Sequence, residues 1–195
     1  MKSFNKIIEN QFGIVYGSDT VIFIKTGRGG DICGYDNKYL NIAGTLHDRY
    51  GYTCVVSANP VDSKADITEE LETLSQYIPD VKEVFYIGIS NGALVGAQQC
   101  WKSERITKAL LINGPLMINW PLTREGTEKF KGKDMHFVYG EKDPSARYVG
   151  LIDLINNSVC RYSLLKDVGH QMDGDVLGEE IIKFIAYGEG GTEIC

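Results

Sequence analysis

Several things are scarce in this chain. No run of apolar residues comes near the length that crosses a bilayer, and no apolar h-region follows the charged start Met1-Lys2-Ser3-Phe4-Asn5-Lys6. Neither a membrane span nor a secretory signal is expected, and the expected compartment is the cytoplasm. Basic residues are in the minority, 20 Lys and Arg against 26 Asp and Glu, for a net charge of -6. With a pI near 5.1 the chain lacks an electrostatic footprint for nucleic acid and a basic helix for an anionic membrane. The five cysteines, Cys33, Cys54, Cys100, Cys160 and Cys195, are odd in number and scattered, with no Cys-x-x-Cys pair. That pattern argues against a disulfide framework or a zinc site and for reduced thiols, several of them core residues. Linkers, internal repeats and low-complexity runs are missing too, so 195 residues with 43% hydrophobic and 24% charged side chains read as one globular domain.

What is present is an alternation. Short strands are expected at 4–9 and 12–17, then an almost wholly apolar one at Thr20-Val21-Ile22-Phe23-Ile24-Lys25. A helix from about Asp36 to Tyr50 repeats Tyr39, Ala43, Leu46 and Tyr50, with Gly51 placed to end it. After the β-branched run Thr53 to Ser57, Asp66 caps a second helix whose stripe is Ile67, Leu71, Leu74 and Ile78, with Glu69 three residues on. Further strands are expected at 84–89, 109–112, 135–139 and 161–165, and helices after Ser90 and near 145–157 and 175–187. Strands and helices in this rhythm predict an α/β fold, a mostly parallel sheet of about seven to eight strands with helices on both faces. Ligands bind such sheets outside the carboxyl ends of the strands. The stretch at about 114–133 reads as irregular, and the Gly-rich tail 188–195 reads as flexible.

Strand ends therefore hold the interest. The loop Thr26-Gly27-Arg28-Gly29-Gly30-Asp31 would let backbone N–H groups approach a ligand, but it lacks the Gly-Lys-Ser/Thr of a phosphate loop and the spacing of a dinucleotide fingerprint. The run Val84 to Ile89 ends in Gly88-Ile89-Ser90-Asn91-Gly92. A strand turning sharply into a helix leaves no space for side chains two positions either side of the bend, and the two glycines provide it. The result is a serine hydroxyl raised at the sheet's carboxyl edge beside the first N–H groups of a helix.

A nucleophilic serine needs a base, and the base an acid to orient it. The strand ending at Tyr139 runs into Gly140-Glu141-Lys142-Asp143-Pro144, and the strand at 161–165 leads to Asp167-Val168-Gly169-His170. Ser90, Asp143 and His170 thus each follow a strand, in the order nucleophile, acid, histidine. His47 falls within a helix and His136 within a strand, so each reads as structural; Asp167 is the second choice of acid but lies only three residues before His170. Asp143 also reads as a turn former or helix cap.

On these motifs, and over nearly its whole length, the chain resembles the α/β-hydrolase family, as a small member without a cap domain. The resemblance implies that Ser90 is the nucleophile, His170 the general base and then acid, and Asp143 the group that fixes the imidazole tautomer. It also implies an oxyanion hole from the backbone N–H of Asn91 and that of Arg28, with Gly29 as the alternative. Where family members often carry His-Gly, this chain has Thr26-Gly27. The segment 114–133, where larger members insert a cap domain, would supply only a lid-like insertion, and Met117, Trp120 and Met172 are candidates for a substrate pocket. The implied activity is hydrolysis of a small-molecule ester or thioester through an acyl-enzyme, with no metal or cofactor. Two alternatives stand beside it: a catalytically silent binding or regulatory protein, and a lyase or acyltransferase using the same triad. No motif speaks to oligomeric state.

Overall fold

Continuous burial along the central strands sets the architecture. In the computed structural model, which describes residues 3–62 and 64–187, Val21 and Phe23 of one strand face one core while Ile22 and Ile24 face the other. Such a strand must be covered on both faces, and it is. The strands are β1 (Lys6–Ile8), β2 (Phe12–Val15), β3 (Thr20–Lys25), β4 (Thr53–Ser57), β5 (Glu83–Ile89), β6 (Ile106–Ile112), β7 (Asp134–Gly140) and β8 (Cys160–Leu165). They form one sheet in the order β1-β2-β4-β3-β5-β6-β7-β8, antiparallel for β1, β2 and the β2–β4 pair, and parallel from β4 to β8. Helices α1 (Lys38–Tyr50) and α5 (Gly174–Tyr187) cover one face; α2 (Ile67–Ser75) and α3 (Asn91–Gln99) cover the other.

Strand order decides where a site can form. The chain passes from β3 outward to β4, then returns to β5 on the opposite side of β3. At such a reversal the connections leave in opposite directions and open a crevice at the strands' carboxyl ends. Ser90 sits at the end of β5, beside the end of β3.

Local signals largely match the elements formed. Gly51 ends α1 at φ 70°, and the Asp66 carboxylate accepts N–H bonds from Thr68 at 2.9 Å and Glu69 at 3.5 Å. Two stretches differ. The segment 114–133 is not irregular throughout: it holds α4 (Trp120–Lys129), laid against α3 so closely that a Cβ on Gly126 would meet the Ala97 carbonyl oxygen at 2.4 Å. Its buried face is Thr123, Gly126 and Thr127, so no apolar stripe announces it. The expected helix near 145–157 is instead a run of 3-10 turns over Pro144–Leu154, with Ile152 as its buried residue. The expected flexible tail, 188–195, lies outside the described residues.

Candidate active site

The bend after β5 carries the strain its sequence predicts. Ser90 has φ 53° and ψ -114°, a positive φ that costs a non-glycine residue energy and persists only where neighbours hold it. Those neighbours are identifiable. Ser90 N–H donates to the Ile112 carbonyl at 2.8 Å, and the buried Tyr86 hydroxyl donates to the Gly92 carbonyl at 2.8 Å. A Cβ on Gly92 would stand 2.3 Å from the Lys25 carbonyl oxygen, and one on Gly88 would stand 2.6 Å from that of Gly92. Only glycine at both positions lets α3 start against the end of β3.

Tertiary folding brings together the three side chains that the sequence places on separate strand ends. His170 Nε2 lies 3.1 Å from Ser90 Oγ, and His170 Nδ1 contacts the Asp143 Oδ2. Asp143 is 3% exposed whereas the His170 side chain is 46% exposed, so the carboxylate is dry and the imidazole is open to solvent. The other carboxylate oxygen, Oδ1, accepts the Ser145 N–H at 2.5 Å and caps the turns that begin at Pro144. Turn former and imidazole partner are thus one residue using two oxygens. Asp167, the second choice of acid, instead pairs with Lys142 at 2.9 Å on the surface. His47 Nδ1 sits 3.2 Å from the Tyr52 carbonyl, and His136 Nε2 sits 2.9 Å from Ser163 Oγ. Burial, with Arg161 close by, pushes the His136 pKa down to about 4.

The loop after β3 borders the hydroxyl. A Cβ on Gly27 would fall 3.3 Å from Ser90 Cβ. Thr26 stands inside the loop, its hydroxyl 3.2 Å from both the Gly30 and Ser57 carbonyls, and it closes the loop by hydrogen bonds. Gly29 N–H donates to the Asn59 carbonyl at 2.6 Å, so that donor is occupied. Among the described residues no main-chain acceptor takes the N–H of Arg28 or of Asn91. The Arg28 guanidinium turns outward to the Val61 carbonyl at 3.4 Å. Asn59, which no sequence signal marks, is 2% exposed and joins both sides: its amide donates to the Thr26 carbonyl at 3.1 Å and to Asn91 Oδ1 at 3.0 Å.

The candidate pocket residues do not gather. Met172 is buried and lines a groove of about 820 Å³ between α1 and α5, with Tyr35, Ile42 and Gly178. Trp120 lines a separate surface hollow of about 430 Å³ along α4, with Arg124 and Lys129, on the opposite face of the sheet. Met117, half-buried, lines neither. Among the described residues no three His, Cys, Asp or Glu side chains cluster as a metal site requires, and no helix is long and apolar enough to cross a membrane. Cys100 is buried, and burial pushes its thiol pKa well up, which makes it inert.

No protein-family model and no curated protein matches the sequence. Solved structures do match the fold. The chain is similar to Est1E from Butyrivibrio proteoclasticus, at 12% identity and TM-score 0.69 over 90% of this chain and 94% of that one. It is similar to a metagenome-derived lipolytic enzyme of the LipS and LipT pair, at 13% identity and TM-score 0.69 over 93% and 100%. It is also similar to alpha/beta hydrolase domain-containing protein 10 from mouse, at 12% identity and TM-score 0.65 over 95% and 98%. A mostly parallel eight-stranded sheet, alike over nine-tenths or more of both chains in each comparison, makes this an α/β-hydrolase fold.

Proposed function

We propose that the protein is a serine hydrolase that cleaves carboxylic esters or thioesters of a small molecule through an acyl-enzyme. The single observation that carries this reading is the line Ser90 Oγ, His170 Nε2 at 3.1 Å, His170 Nδ1, Asp143 Oδ2 at the crevice between β3 and β5. Structural neighbours described as lipolytic enzymes and as an esterase from Pyrococcus furiosus support it, as does a serine hydrolase homologue from Coxiella burnetii, 12% identical with TM-score 0.63.

Each group has a step. Ser90 Oγ attacks the carbonyl carbon while its proton passes to His170 Nε2, and the carbonyl oxygen gains the negative charge. The N–H groups of Asn91 and Arg28 receive that charge. Asp143, dry and anchored by Ser145, holds the Nδ1 proton and steadies the imidazolium. Collapse of the intermediate expels the alcohol or thiol, which takes the proton from Nε2. Water then enters from the exposed side of His170, loses a proton to Nε2 and releases the acid.

A fluorophosphonate probe tests the reading. It should modify Ser90 in the folded protein, and Ser90→Ala should lower kcat on a short-chain aryl ester by a factor on the order of 10⁶. Folded protein whose Ser90 stays unmodified would refute it.

A further inference from the structure

The end of β6 reaches the loop that carries the imidazole. Asn113 follows the last residue of that strand, is 1% exposed, and holds φ 51°, a left-handed conformation that asparagine tolerates better than most residues. Its N–H donates to the Val138 carbonyl on β7 at 2.9 Å. Its Oδ1 accepts the N–H of Gly140, at the end of β7, at 2.9 Å. Its Nδ2 donates twice, to the Gly169 carbonyl at 3.2 Å and to the His170 carbonyl at 2.9 Å. The amide offers two donors and a carbonyl oxygen, and all are engaged.

Those partners are the roots of the two loops that matter. Gly140 starts the acid turn, and the Asp143 N–H returns to the Gly140 carbonyl at 2.9 Å. The two loops touch at this point, since a Cβ on Gly140 would meet the Val168 carbonyl oxygen at 2.5 Å and that of Gly169 at 2.7 Å. The preceding residue, Ile112, accepts the Ser90 N–H at 2.8 Å. Residues 112 and 113 therefore take hydrogen bonds from, or give them to, the main chain at Ser90, at the acid turn and at His170.

We propose that Asn113 is a positioning residue: its side-chain amide clamps the acid turn to the histidine loop and so keeps the His170 ring in line between Asp143 and Ser90. The kinetic consequence rests on the hydrolase reading; the geometric one does not. Asparagine is required because the site asks for an acceptor and two donors on a short side chain at positive φ. Aspartate would keep the acceptor for Gly140 but turn lone pairs toward two carbonyl oxygens.

Two variants test it. Asn113→Gly removes the amide while keeping the left-handed backbone free of strain, and Asn113→Asp keeps the bond to Gly140 alone. A ring displacement approaching 1 Å should lower kcat on an aryl ester by about 10-fold to 100-fold with KM within about twofold, and should slow fluorophosphonate labelling in parallel. The ring 15N shifts of His170 give a readout independent of turnover. In the wild type they should report the proton held on Nδ1, and in both variants the averaged tautomers of a free imidazole. Variants that melt earlier but keep wild-type ring shifts and kcat would overturn the proposal, as would a wild-type ring already averaged. Should the wild type neither label nor hydrolyse, the hydrolase reading fails while the ring shifts still decide the role of Asn113.

Discussion

Removing one charge from beneath the loop that borders Ser90 should destabilise the protein far more than removing both. Lys25 ends β3 and is 1% exposed; Glu70, on α2, is 5% exposed. The ammonium uses its three protons on Ser57 Oγ at 3.0 Å, the Ala58 carbonyl at 2.7 Å and Glu70 Oε1 at 2.7 Å. The Ser57 hydroxyl donates to Glu70 Oε2 at 2.8 Å, so the carboxylate is satisfied too. Breaking such a pair leaves a buried uncompensated charge, worth about 3–5 kcal/mol, a large part of the roughly 5–15 kcal/mol that holds a domain folded. For a chain of this size Glu70→Gln should then lower Tm by roughly 6–20 °C. Replacing both groups, Lys25→Met with Glu70→Leu, should recover most of the loss because an apolar pair needs no compensation. Burial lowers the Lys25 pKa and Glu70 raises it back, so Glu70→Gln lowers it further. Above that folded value the unfolded lysine keeps its proton while the folded one sheds it, so the deficit of Glu70→Gln should shrink as pH rises toward the ordinary 10.5. Urea melts of the wild type, Glu70→Gln, Lys25→Met, Glu70→Leu and the Lys25→Met with Glu70→Leu double variant at pH 7 and 9 measure the coupling. Single variants each costing under about 1 kcal/mol, or a double variant as unstable as the sum of the singles, would refute the reasoning.

Two other outcomes follow from the same geometry. Asn59→Ala frees the Thr26 carbonyl and Asn91 from their shared amide, so the two sides of the proposed oxyanion hole lose their tie; steady-state kinetics should show kcat reduced by about 10-fold to 100-fold with little change in KM. His136 resists protonation in the folded state down to about 4 whereas the unfolded chain takes its proton near 6.5, so its contribution to stability is complete above 6.5 and is lost as pH falls toward 4. The loss is at most about 3 kcal/mol, and urea melts of His136→Gln between pH 7 and 4.5 should show a correspondingly shallower decline.

Much of the fold and the outline of the site were legible along the chain. Apolar runs bounded by turn residues marked the strands, and the Gly88-x-Ser90-x-Gly92 spacing marked the bend, because a strand-to-helix turn is decided within five residues. Asp143 before Pro144 and His170 after Gly169 were visible for the same reason: each follows a strand and belongs to a short turn. By contrast α4 was hidden, since its buried face of Thr123, Gly126 and Thr127 packs by small size against α3, not by hydrophobicity. Trp120 and Met172 looked alike as apolar residues near strand ends, yet the sheet separates them.

The amino-acid sequence by itself determined where strands end and which candidate catalytic side chains stand at those ends, because these depend on local periodicity and turn chemistry. Only the tertiary structure decided what holds them together. Asn113 meets His170 across 57 positions, Asn59 meets Asn91 across 32, and Lys25 meets Glu70 across 45. In the linear chain Asn113, Asn59, Lys25 and Glu70 are ordinary polar residues; burial leaves their hydrogen-bonding groups no water, and the partners that replace water come from whichever elements the fold sets side by side.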